Sequence, residues 1–132
     1  MNINPLNNGG ASFNDFPDSL INSFSSHDWT TTEVEVSTLD HVFHNQGLTS
    51  VDIIKIDVEG FEIPVIVGAI ELVKVYLPDL YVEVSSNSSK VDSVLSILPS
   101  SYNAFYPDGV IYYRGDPVRN DMLFSSINTL LV

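Results

Sequence analysis

Cysteine is absent from this 132-residue chain, and that absence removes disulfides, thiolate nucleophiles and cysteine metal sites together. Positive charge is scarce. Five Lys and Arg face 17 Asp and Glu, a formal charge of -12. Such a surface repels nucleic-acid phosphate and anionic lipid, so neither is expected as a partner. Long apolar runs are missing as well. The longest, residues 63–75, is interrupted by Pro64, Gly68, Glu71 and Lys74 and falls short of the roughly 20 residues a membrane span needs. The opening MNINPLNNGG has no basic region and no apolar segment, so it does not read as a secretory signal, and a cytoplasmic protein is expected. The sequon Asn87-Ser88-Ser89 then reads as a chance match.

What is present suits one ordinary domain: 44 % of the residues are apolar, enough for a packed core. Residues 1–32 are rich in Asn, Ser, Thr and Gly and read as loop, with one weak helical stretch around Ser19–Phe24. Glu33 to Val36 alternates polar and apolar, as a half-exposed strand does. Thr38 is placed to cap a short helix carrying Leu39, Val42 and Phe43 and stopped by Gly47. Val51 to Asp57 is nearly continuously hydrophobic, which predicts a parallel strand buried on both faces. One long helix is predicted from Glu59 to Tyr76, with Pro64 tolerated in its first turn and Pro78 beyond its end. A second strand (Leu80–Val84), a helix (Ser89–Leu98), a hairpin turning at Pro107-Asp108-Gly109 and a last strand (Met122–Ile127) follow. Alternating strands and helices predict parallel pairing with helical crossovers, and the hairpin predicts an antiparallel edge.

The chemistry concentrates where the first strong strand hands over to the long helix. In open α/β sheets ligands sit beyond the carboxyl ends of the strands. Asp57 closes that strand, which makes it the first candidate for a base or substrate ligand. Glu59 and Glu62 are three apart and are expected to share one face of the helix start, where they also complement the helix dipole. Gly60 permits a tight backbone turn. Lys55 interrupts the apolar strand on the same face as Asp57, and a buried ammonium requires a partner; Glu83 is the first choice and Asp57 the second. His41 and His44 have helical metal-ligand spacing, but the apolar face defined by Leu39, Val42 and Phe43 leaves both in solvent with no third ligand, so no metal is expected.

Four segments in order resemble the FkbM family of S-adenosylmethionine-dependent methyltransferases. Val36-Ser37-Thr38-Leu39-Asp40 is similar to the family's entry into a helix. The run from Val51 to Glu62, VDIIKIDVEGFE, is similar to its most distinctive motif. Gly68-Ala69, Pro78 and the strand ending at Glu83 match the next portion, and Asn8-Gly9-Gly10-Ala11-Ser12 resembles a preceding glycine-serine loop. The resemblance implies an α/β fold: the C-terminal part of a Rossmann-like class I methyltransferase sheet, with residues 1–32 as a loop-rich segment and 33–132 as a partial domain. The glycine-rich turn that cradles the cofactor in the complete domain has no counterpart after an early strand here.

By this resemblance the activity is S-adenosylmethionine-dependent O-methylation of a small polar or sugar-like hydroxyl compound. Asp57, Glu59 and Glu62 take catalytic roles, Asp57 and Gly60 cofactor contacts, and Glu83 and Lys55 substrate contacts. The alternative is a non-catalytic remnant or interaction module, inactive until a partner supplies the glycine-rich half. An exposed strand edge would then invite a partner chain or self-association. A nucleotide hydrolase, suggested loosely by a strand ending in Asp57-Val58-Glu59, lacks any phosphate loop with Lys and Ser/Thr.

Overall fold

The computed structural model describes residues 2–3, 11–12, 30–31 and 34–126. The chain forms two compact units: Met1–Val36 with Val58–Phe61, and Ser37–Asp57 with Glu62–Val132.

In the first unit, β1 (Asn2–Ile3) pairs antiparallel with both β2 (Ala11–Ser12) and β3 (Thr30–Thr31), giving the order β2-β1-β3. These short pairings replace part of what composition predicts as loop. The helical stretch expected at Ser19–Phe24 lies outside the described residues, as does Glu33. Val34 to Val36 form no strand and are exposed, so the alternating pattern there is not used for pairing.

The second unit runs α1 (Leu39–Asn45), β4 (Ile53–Ile56), α2 (Glu62–Val67), α3 (Ile70–Tyr76), β5 (Asp79–Glu83), α4 (Ser88–Ile97), β6 (Asn103–Phe105) and β7 (Asp121–Ser125). Its sheet has the order β4-β5-β7-β6. β4 and β5 are parallel, joined by the α2–α3 crossover; β7 is antiparallel to both β5 and β6. The mixed α/β class is therefore as expected, with the antiparallel part toward the end of the chain. Among the described residues no helix is long and apolar enough to cross a membrane.

The core lies on one face of this sheet. Ile56, Leu80, Val82, Ala104, Met122 and Phe124 are buried there, and Ile66, Val73, Val91 and Val94 of the helices complete it. On the opposite face Ile53, Lys55, Tyr81 and Leu123 are only partly buried or exposed, while Phe105 and Ser125 at the β6–β7 side are buried. This corrects the expectation for β4. Ile56 is buried but Ile53 is 63 % exposed. Its β-branched residues suit a strand, but the helices cover only the Ile54 and Ile56 face of β4, and Ile53 and Lys55 stay exposed on the other.

The single long helix expected after Asp57 is two helices. Its break at Gly68 and Ala69 is where the start of α1 docks. A Cβ on Gly68 would stand 3.3 Å from Thr38 Cβ and Cγ2, so glycine allows the close approach. Ala69, at the start of α3, has no side chain to cap it, and Asp40 of α1 does the work instead. Its carboxylate accepts from the Glu71 and Leu72 N–H groups (3.2 and 2.8 Å), and its own N–H donates to Gly68 O at 3.0 Å. Orphan donors at a helix start are thereby satisfied from 31 and 32 residues away. Thr38 caps α1 as expected, accepting from His41 N–H at 3.2 Å, and Gly47 follows in the left-handed region at φ 63°. No residue of α1 is buried; Phe43 instead meets Tyr76 of α3 in a tilted ring contact, centroids 4.9 Å apart.

The expected hairpin is only partly formed. Gly109 takes φ 84° in the turn, and Tyr106 N–H donates to Val110 O at 2.8 Å. Beyond one bridge between Phe105 and Ile111, the regular partner of β6 is β7.

Tyr102, just before β6, ties this region back to the start of β5. It is buried, and its hydroxyl donates to Pro78 O at 2.6 Å. Burial, reinforced by the Asp79 charge, pushes the Tyr102 phenol up to about 12. A raised folded-state value favours the neutral form. Its contribution is complete below the unfolded value of about 10 and is lost as pH rises from there toward 12. Chemical denaturation of Tyr102→Phe is expected to show a loss of about 1–3 kcal/mol at neutral pH, from the unpaired Pro78 carbonyl. The variant's stability should also fall less steeply than wild type above pH 10.

Candidate active site at the carboxyl ends of the parallel strands

The parallel register, Ile53 with Asp79 through Ile56 with Val82, carries Asp57 beside Glu83 one step further on. Across the next strand Glu83 pairs with Asp121 of β7. Three carboxylates thus form a row across three strand ends. Like charges in such positions cost stability. Lys55, one side-chain period back from Asp57 on the same face, donates to Asp57 Oδ2 at 2.8 Å.

The electrostatics follow from this geometry. The Lys55 hydrogen bond, then a hydrogen bond between the Asp57 and Glu83 carboxyl groups, then the Lys55 charge hold Asp57 below the usual carboxylate range. In return, the hydrogen bond to Asp57 and its charge hold Lys55 above the usual ammonium value, with further help from the charges of Asp121 and Glu83. The expected partner of Lys55 therefore needs correction: it is Asp57, and Glu83 contributes charge. The premise of burial also changes, because the Lys55 side chain is 64 % exposed. The open face of β4 leaves no buried ammonium to neutralise.

Glu62 opens α2, but its side chain is only 2 % exposed and accepts from Lys90 Nζ of α4 at 2.9 Å. This pair joins the crossover helix to the helix after β5. Glu59 and Glu62 do not share a helical turn as expected, because α2 begins at Glu62. Glu59 lies in the turn Val58–Phe61, at φ 47°, followed by Gly60 at φ 99°; Phe61 N–H donates to Val58 O at 3.3 Å. Gly60 thus has the left-handed backbone for which glycine is suited. His41 bonds the Asn45 side chain at 2.8 Å on the exposed face of α1.

Asp121 is the member of the corner that sequence reasoning missed. Its signal is weak: an acid opening a short apolar strand. Only the antiparallel register of β7 brings it to the strand ends where Asp57 and Glu83 stand.

All five Lys and Arg of the chain are already ion-paired. Besides Lys55 and Lys90, Lys74 meets Glu71, Arg114 meets Asp92 and Arg119 meets Asp108. The corner is an acidic surface with one engaged cation. Such a surface accepts hydrogen bonds from hydroxyl or amine donors and disfavours anions.

Lys90→Met removes the ammonium from the buried Glu62 carboxylate. It is expected to destabilise the fold by about 3–5 kcal/mol, read by urea denaturation. Replacing both partners, as Glu62→Leu with Lys90→Met, should recover most of that loss; a double variant as unstable as the single would show that the pair is not the cause.

A family model for the methyltransferase FkbM domain matches residues 3–106. Comparisons with curated proteins and with solved structures return no match. The matched span contains α1, the α2–α3 crossover, both parallel strands and the Asp57–Glu83 pair. The chain belongs to the FkbM methyltransferase family.

Proposed function

We propose that the corner formed by Asp57, Glu83 and Asp121 holds the acceptor hydroxyl of a small polar or sugar-like compound in an S-adenosylmethionine-dependent O-methylation. The observation that carries this reading is Asp57 itself: an ionised, solvent-accessible carboxylate at the carboxyl end of a parallel strand, beside a second carboxyl group. S-adenosylmethionine, when bound, supplies an electrophilic methyl group on a positively charged sulfur. Carboxylates fit that positive charge and the acceptor's hydroxyl groups alike.

Asp57, kept ionised by Lys55, orients the acceptor by accepting its hydroxyl hydrogen bond. Its carboxylate would receive the acceptor's hydroxyl proton. Its lowered pKa makes it a weak base, so holding the acceptor near attack distance is the larger part of its work. Glu83 and Asp121 bind neighbouring hydroxyls of the same compound. Glu62 supports the crossover helix from beneath. The pairing of every basic residue favours a neutral or cationic acceptor over a phosphorylated one, which also counts against a nucleotide hydrolase.

A second reading, on the same fold, is an interaction module that works with a chain supplying the glycine-rich cofactor turn. It is favoured by β4, which is outermost in its sheet among the described residues and carries the exposed Ile53. In this reading the 33–132 segment is the later part of a Rossmann-like domain, and an added strand pairs along the free edge of β4.

The test is transfer of labelled methyl from S-adenosylmethionine to a panel of polyols, by this chain alone and with the glycine-rich half of an FkbM domain added in trans. Transfer is expected in the supplemented reaction and should fall about 10²–10⁴-fold in Asp57→Asn. Transfer in neither reaction, or an undiminished rate in Asp57→Asn, contradicts the proposal. Equal transfer by the unsupplemented chain removes the second reading.

A further inference from the structure

Just beyond β5 the backbone takes a costly course. Ser85 and Ser86 adopt φ of 51° and 56°, two consecutive non-glycine residues in the left-handed region. Each such residue is strained and persists only where its surroundings over-determine it. Here the surroundings are largely one residue. The Asn120 carbonyl accepts from Val84 N–H and Ser85 N–H (2.6 and 3.1 Å). Its side-chain Oδ1 accepts from the Ser86 hydroxyl at 2.7 Å. Asn87 N–H closes the turn onto Val84 O at 3.0 Å, and the Asn87 side chain then caps α4.

Asn120 immediately precedes Asp121, and Val84 immediately follows Glu83. The clamp therefore grips both strands next to the Glu83–Asp121 pair. We propose that Asn120 is a positioning residue that fixes Glu83 against Asp57 by clamping the Ser85–Ser86 turn. The functional meaning of this role rests on the reading of that corner as the acceptor site. Without the side-chain bond to Ser86, the left-handed pair has one fewer restraint, the end of β5 relaxes, and Glu83 no longer holds its place beside Asp57. Lys55 and Asp121, the other charged groups at the corner, stay on their own strands.

The experiment is a carboxyl-detected NMR titration of Asp57 in wild type and in Asn120→Ala, Ser86→Ala, Ser86→Thr and the double variant Asn120→Ala/Ser86→Ala. Asn120→Ala and Ser86→Ala are each expected to raise the Asp57 midpoint, because the bond with Glu83 is one cause of its low value. The double variant should move it no further than either single variant, and Ser86→Thr, which keeps the donor, should match wild type. An unchanged Asp57 midpoint in both single variants, even with lowered stability, overturns the proposal by making the clamp purely structural. Shifts that add in the double variant overturn it too, since the two residues would then act separately. Ser86 is exposed, so its variants remain informative where Asn120→Ala folds poorly. The titration needs no methyl donor: shifted midpoints without methyl transfer would retain the positioning role and reject the acceptor reading.

Discussion

Parallel pairing of β4 with β5 is the constraint on which the candidate site depends. Side chains on neighbouring parallel strands line up at equal height, so one register places every member of the corner. With Ile56 beside Val82, Asp57 falls beside Glu83, and the antiparallel β7 delivers Asp121 to the same row. A slip of one residue would turn the buried and open faces of β4 over. Ile56 would leave the core and Asp57 would leave the corner. The apolar face of the strand and its chemistry are thus specified together.

Two interactions far apart in the sequence hold the crossover that makes the parallel pairing possible. Asp40 caps α3 from α1, with Gly68 giving Thr38 room to approach. Glu62 and Lys90 join α2 to α4 in a poorly solvated pair. Desolvating an ion pair is costly, so its net contribution over a hydrophobic replacement is small. Removing one partner is what hurts. Both acids belong to segments that look like motif residues in the chain. The fold uses them in capping and ion-pair contacts, and aligns Asp57, Glu83 and Asp121 in a row at the strand ends.

Much of this is legible in the residues. Capping by Thr38, the stop at Gly47 and the existence of the β4 and β5 strands follow from local pattern, because local physics decides them. What the pattern misplaces depends on partners distant in sequence. The helix from Glu59 to Tyr76 has unbroken apolar spacing, yet it breaks at Gly68 because Thr38 and Asp40 arrive there. Glu59 reads as a first-turn residue but occupies a left-handed turn ahead of the helix. Lys55 looks buried from its neighbours in the chain, and is exposed because its strand is covered on one face only. Asp121 had no distinctive neighbours at all. The segments that carry the family resemblance, Asn8–Ser12 and Val36 through Glu83, all fall within the span that the domain model matches.

Chemical cross-linking tests the β4–β5 pairing most directly, and the absence of native cysteine makes the readout clean. Two double variants are oxidised and compared: Asp57→Cys/Glu83→Cys and Asp57→Cys/Asp79→Cys. In the parallel register residues 57 and 83 are neighbours within disulfide reach, whereas residues 57 and 79 are four positions out of step, about 13 Å apart. The account predicts rapid intramolecular disulfide formation in the first pair and none in the second. Bonding of residue 57 to residue 79 in preference to residue 83 would mean that the strands run the other way, and that the acidic corner does not exist.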